Sequence, residues 1–244
     1  MVCIQRSLTW SSHRPSLARS NVRLGQRDVR LSSELAAPVP PTSTARPREA
    51  DLRTAATRLF RERGFHATSM QDLAQALGMN RGSLYHYIVG KDDLLWLILG
   101  RAFDLLEGRV VPILESGAPP VDRIRSAIHE HLRVAADHAD ELSLIQIELR
   151  SLSPERQARM IERRNRYEGL WRAALSEGMA AGSLRAFDVR LAGIGILSAC
   201  NWFTQWFRPN GPLTVDEVAE RFCDLFLTGL AAPGAGAAGR EAAG

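Results

Sequence analysis

Arg81, Ser83, Tyr85, His86 and Tyr87 lie close together in one short stretch. They offer a guanidinium, an imidazole and three hydroxyls, groups that pair with phosphate oxygens and base edges in a DNA groove. Asn80 just before them is a good N-cap, and Leu84 and Ile88, four apart, give the inward side of a helix over 81–88. Arg81 in its first turn is the candidate base or phosphate contact, since Arg to guanine is the commonest specific pairing; an exposed arginine is otherwise simply solvated. Gly82 costs about 1 kcal/mol relative to Ala in a helix, which makes sense where another backbone must come close. Tyr85 and Tyr87 could alternatively pack at a domain junction.

These side chains need a scaffold, and the preceding residues supply one. Thr68 with Gln71 reads as a capping box opening a helix over 69–76, whose apolar face is Met70, Leu73, Ala74 and Leu77. Gly78 allows a positive φ at the turn into the second helix. The pair forms a helix-turn-helix candidate. A first helix over 48–63 precedes it, with Leu52, Ala55, Ala56, Leu59 and Phe60 inward and Gly64 placed as a left-handed cap. His66 is expected at the surface.

Other chemistry finds no support. His129 and His131 are two apart and diverge on a helix, so they make no metal pair. Cys3, Cys200 and Cys223 show no ligand spacing, and the latter two sit in apolar helical runs. The sequence holds no GxSxG, no Walker-type loop and no dinucleotide-binding fingerprint, which needs its glycines between a strand and a helix. Glu148 and Arg150 are expected at a solvated edge. The reading is not an enzyme, with neither metal nor cofactor. An all-α enzyme using a C-terminal cavity is the more remote alternative, beside an architectural helix-turn-helix protein without effector.

Of the 244 residues, positions 1–46 carry seven arginines against two acids, net +5, and the rest 24 basic against 25 acidic, net −1. Attraction to phosphate therefore depends on local placement of charge and on that arm. The arm is rich in Arg, Ser and Pro and lacks a signal peptide's apolar core. It reads as a disordered segment, with a transit-peptide-like composition or sequence upstream of the true start as alternatives. A basic arm could also reach a minor groove.

The body reads as all-α. Gly90 breaks the chain before a long apolar helix starting at Lys91, with Asp92 and Asp93 at the positive end of its dipole and Pro112 expected to kink or end it. Helices follow over 121–136 and 140–152. Ser153-Pro154 opens another, to about Ala181, with Gly182 as its stop. The stretch 191–207 is apolar nearly all round but short and polar for a membrane span, so burial on several sides is expected. Thr214 and Glu217 form a capping box for a closing helix to Leu230. Residues 231–244 are a low-complexity tail.

The run from LFRERGF through HATSMQDLAQALGMNRGSLYHYIVGKDDLL closely resembles the DNA-binding domain of the TetR family of regulators. Ile88 stands where the family usually has an aromatic. The resemblance implies a three-helix DNA-binding domain over 47–91 and a larger ligand-binding and dimerisation domain over 92–230. Ser83, Tyr85, His86, Tyr87, Thr68 and Lys91 match the family's DNA-contacting positions, and with Asn80, Arg81 and Gly82 they complete the expected set.

ELRSLSPERQARMIERRNRYEGLWRAAL and NWFTQWFRPNGPLTVDEVAERFCDLFLTGL resemble TetR-type repressors of fatty-acid or steroid-ring degradation, several of which respond to CoA thioesters. The implied protein is a cytoplasmic homodimeric repressor of a palindromic operator in double-stranded DNA, released by an acyl-CoA or similar effector. Its dimer interface would form from 191–207 and 214–230. Arg166, Tyr167, Trp171, Trp202 and Trp206 are the candidate pocket residues, although such aromatic stripes are often core and arginines are usually solvated.

Overall fold

The computed structural model describes residues 49–229, which are helical with no strand among them. The arm over 1–46 and the tail over 231–244 lie outside the described residues. Three short elements come first: α1 (Glu49–Arg63), α2 (Met70–Ala76) and α3 (Arg81–Leu84). Gly64 and Gly78 end α1 and α2 with φ of +86° and +65°, a region where a Cβ would be strained. Phe60 and Phe65 meet edge to face across the first of these turns.

Two local expectations are corrected here. Ser69, not Thr68, caps α2: its hydroxyl accepts the Asp72 N–H, and the Asp72 carboxylate accepts the Ser69 N–H at 2.8 Å. These bonds hold the Asp72 carboxyl below its usual pKa, with the Ser69 hydroxyl the largest cause. Thr68 turns inward instead, its hydroxyl donating to the backbone oxygens of Gly64 and Leu59. Secondly, α3 closes at Leu84 rather than running to Ile88. The amides of His86 and Tyr87 reach back three residues, to Ser83 and Leu84, so the chain continues as a tighter turn.

The long α4 (Lys91–Leu114) is the spine, burying Leu94, Leu95, Ile98, Leu99, Ala102, Phe103, Leu106, Val110 and Leu114. Pro112 falls in its last turn, and the helix ends two residues later. Around it pack α5 (Pro120–Asp137), α6 (Ala139–Glu148) with a 3₁₀ turn over Leu149–Ser151, and α7 (Pro154–Ala180). Gly182 stops α7 at φ +70°. Then come α8 (Val189–Trp206) and α9 (Val215–Cys223), which runs into a wider turn over Asp224–Thr228. The Thr214–Glu217 capping box forms as expected. No described helix is long and apolar enough to cross a membrane.

Candidate nucleic-acid interface and effector cavity

The reading surface is built by a well-capped but very short helix. Asn80 Oδ1 accepts the Ser83 N–H at 2.7 Å, fixing the first turn of α3, while Leu84 is fully buried beneath it. A Cβ on Gly82 would come within 3.3 Å of that cap oxygen, so glycine keeps the cap open. Outward from this base, Arg81 donates to the Tyr85 hydroxyl at 3.0 Å and lies 5.6 Å from the centre of its ring. Tyr85 and Tyr87 are exposed, at 45 % and 41 %, and His86 is exposed beside them. Ser83 is half-buried. Arg81 and Tyr85 thus form an accessible, donor-rich pair with His86 exposed nearby, while Tyr87 borders a groove between α1 and α4 with Leu52, Arg53 and Leu97.

Thr68 and Lys91 do not join it. Thr68 is 1 % exposed and its hydroxyl is already committed. Lys91 spends its ammonium on three backbone oxygens, those of Phe65, His66 and Thr68, at 2.8, 3.2 and 3.0 Å. It also sits 4.5 Å over the Phe65 ring. Both residues therefore build the turn before α2; an ammonium with three acceptors has no free N–H left for a phosphate. Glu148, expected at a solvated edge, is a further correction. It is 7 % exposed and accepts the Phe65 N–H at 2.9 Å and the Ser151 hydroxyl at 2.7 Å. The apolar run around it gave no sign of this, because its partner is a backbone amide some eighty residues away.

The five expected pocket residues divide among three places. Arg166 borders an open cleft of about 820 Å³ between α1, α4 and α7, where it pairs with Glu162. Trp96 lies in the same cleft with Arg159 5.1 Å from its ring centre, and Arg53 and Arg101 have no carboxylate partner among the described residues. Arg163 is bound there to Asp104 and Glu107.

Tyr167 instead lines a small, partly open cavity of about 40 Å³, with Phe103, Leu106, Leu142, Ile145 and Asn201. Behind it the tyrosine hydroxyl meets Nδ1 of fully buried His131 at 3.1 Å. Burial pushes the His131 pKa down to about 4 and raises that of Tyr167, so both are neutral. Trp171, fully buried, packs edge to face on both rings. Among the described residues His131 Nε2 and Trp171 Nε1 find no partner in good hydrogen-bond geometry. His129 diverges as expected and pairs with Glu220 at 2.9 Å.

Trp202 and Trp206 belong to neither site. With Leu191 and Ile194 they form the outward stripe of α8, exposed by 62, 44, 66 and 46 % respectively. The opposite face carries Ile196, Cys200 and Phe203 into the core. The all-round burial expected of this helix is therefore one-sided within a single chain. Among the described residues no group of three His, Cys, Asp or Glu is placed to hold a metal ion.

Residues 52–96 match the family model for bacterial regulatory proteins of the tetR family, and residues 117–230 that of a tetracyclin repressor-like C-terminal domain. The HTH-type transcriptional repressor KstR2 of Rhodococcus jostii is 32 % identical over 199 residues, spanning 80 % of this chain and 97 % of that protein. Among solved structures, the TetR family regulator PfmR of Thermus thermophilus superposes with a TM-score of 0.69 at 38 % identity, covering 74 % of this chain and 99 % of that one. AibR in complex with isovaleryl coenzyme A and operator DNA superposes with a TM-score of 0.69 at 28 % identity, covering 74 % and 98 %.

Proposed function

Because the chain belongs to the TetR family of bacterial regulatory proteins, we propose that it is a homodimeric repressor that leaves its operator when a CoA thioester binds. The observation that carries this reading is the capped α3 with Arg81 on it and Tyr85 and His86 just beyond it, all exposed. Two such faces entering successive major grooves would read a pseudo-palindrome. In this proposal the DNA-reading part spans 47–91 and the effector and dimer part 92–230. The protein acts in the cytoplasm and is not an enzyme.

The apolar stripe of α8 supports the dimer, since an isologous interface needs a self-complementary apolar patch. AibR, holding isovaleryl coenzyme A, supports the effector class. The arginines and Trp96 of the large cleft suit the phosphates and adenine of the nucleotide. The small cavity beside Tyr167 suits the acyl group, provided that it widens. An effector acts only by preferring a conformation that binds DNA less well.

The test is selection of a duplex from random sequence by the full chain, followed by titration with isovaleryl coenzyme A and longer acyl-CoA thioesters. Sequence preference at physiological salt that a thioester relieves is the expected result. Binding no better than to arbitrary DNA would remove the proposal.

A further inference from the structure

The turn joining α1 to α2 is gripped from two sides by helices of the C-terminal part. On its amide side, Glu148 at the end of α6 accepts the Phe65 N–H. On its carbonyl side, Lys91 at the start of α4 donates to Phe65, His66 and Thr68. One turn thus lies between an anion and a cation, each complementing the backbone groups it faces. A second tie, Arg61 to Asp140, joins α1 to the other end of α6.

The same two helices wall the small cavity together with α7 and α8, which add Tyr167 and Asn201. Phe103 and Leu106 come from α4; Leu142, Ile145 and Gln146 come from α6. Ile145 and Glu148 are three residues apart, hence neighbours on one side of the helix. The cavity holds about 40 Å³ and must widen to admit an acyl group, and a displacement of Ile145 displaces Glu148 with it. Glu148 is buried with no cation bonded to it among the described residues, so its hydrogen bonds are what offset its desolvation. A bond of this kind is either kept or lost, which suits a two-state element.

We propose that Glu148 is the positioning residue through which occupancy of the cavity reaches the DNA-reading elements: it holds the α1–α2 turn, and with it α2 and α3, in the operator-binding arrangement only while α6 keeps its unliganded place. This rests on the reading of the chain as an effector-responsive operator binder. Glu148 touches neither DNA nor effector. Its role is to make the two sites sense each other.

The experiment is a double-mutant cycle that needs no effector. Ile145→Trp places bulk in the cavity and pushes α6 as an acyl group would, with Ile145→Phe as the milder variant should the first not fold. Affinity for a duplex selected by the wild-type chain is measured by fluorescence anisotropy in wild-type, Glu148→Leu and Glu148→Gln backgrounds. The filling substitution should weaken operator binding about tenfold in the wild type and less than about twofold beside Glu148→Leu, a coupling within the range measured for interacting sites. Glu148→Gln keeps an acceptor for the Phe65 N–H and should restore most of the response.

A merely structural role would give equal losses in all three backgrounds, and that result overturns the proposal, as does a filled cavity with no effect in the wild type. Hydrogen exchange at the Phe65 amide separates the proposal from the operator reading. Exchange should quicken with Ile145→Trp and with Glu148→Leu alike, and the pair together should add little. If no duplex is selected but exchange behaves so, operator binding fails and the clamp stands. If exchange is unchanged, the clamp fails whatever the DNA result.

Discussion

The outward faces of α3 and α8 are opposites. That of α3 is polar, with Arg81 presented on a helix of four residues and Tyr85 and His86 on the turn that follows it. That of α8 is apolar, with Leu191, Ile194 and Trp202 presented on a helix of eighteen. Both cover their inner side with fully buried groups, Leu84 in one and Phe203 in the other. What remains outside therefore reports the partner each face fits. Hydrated donors exchange water for phosphates and base edges at modest net cost, whereas an exposed tryptophan stripe gains by leaving water. In the proposed function the first face specifies and the second doubles it.

Breaking the α8 face should have the largest effect. Trp202→Glu in the apolar stripe should yield monomers in light scattering and cut operator affinity roughly 10²–10³-fold, the order gained when two binding modules act together. Unchanged mass and affinity would remove α8 from the interface.

Next comes the interior, where the body hides a polar group instead of showing it. His131 has its pKa depressed from 6.5 to about 4, chiefly by burial. The native chain keeps it neutral while the unfolded chain protonates it, so stability is full above pH 6.5 and declines as pH falls toward 4. The loss is on the order of 2–3 kcal/mol. Chemical denaturation across that window should show this slope, and His131→Asn should flatten it.

Substituting the reading face acts without touching the dimer. Arg81→Ala should weaken specific binding by about 1–3 kcal/mol and relax discrimination at one base position, with mass in solution unchanged. Ser69→Ala, which removes the α2 cap, should lower stability by only about 1 kcal/mol, read from urea unfolding. If Thr68→Ala cost no more than Ser69→Ala, the buried role of Thr68 would be in doubt.

The two faces were unequally legible in the sequence. Everything that makes α3 is local: Asn80 caps, Gly78 turns, and Leu84 anchors, all within a few residues. The capping box was misplaced by one residue because Thr68-Gln71 and Ser69-Asp72 satisfy the same spacing. The choice is made by the Thr68 hydroxyl finding carbonyls in the core. Periodicity also revealed the helices of the body, including the apolar character of α8.

Pattern could not say which α8 residues meet the protein's own core. Nor could it place Arg166, Tyr167 and Trp171, which share one helix yet point to a cleft, a cavity wall and the deep interior. Glu148 and Lys91 were beyond reach for the same reason: their partners are backbone groups distant in sequence, and backbone groups carry no signature in residue type.

The most direct test of the whole account is operator binding by the intact chain with and without a CoA thioester. At physiological salt the chain should bind a selected palindrome at least about 10³-fold more tightly than arbitrary DNA. A saturating acyl-CoA thioester should weaken that binding by about 5–150-fold, the usual range for coupled sites. Equal affinity for selected and arbitrary duplexes, or specific binding that no thioester changes, would contradict it.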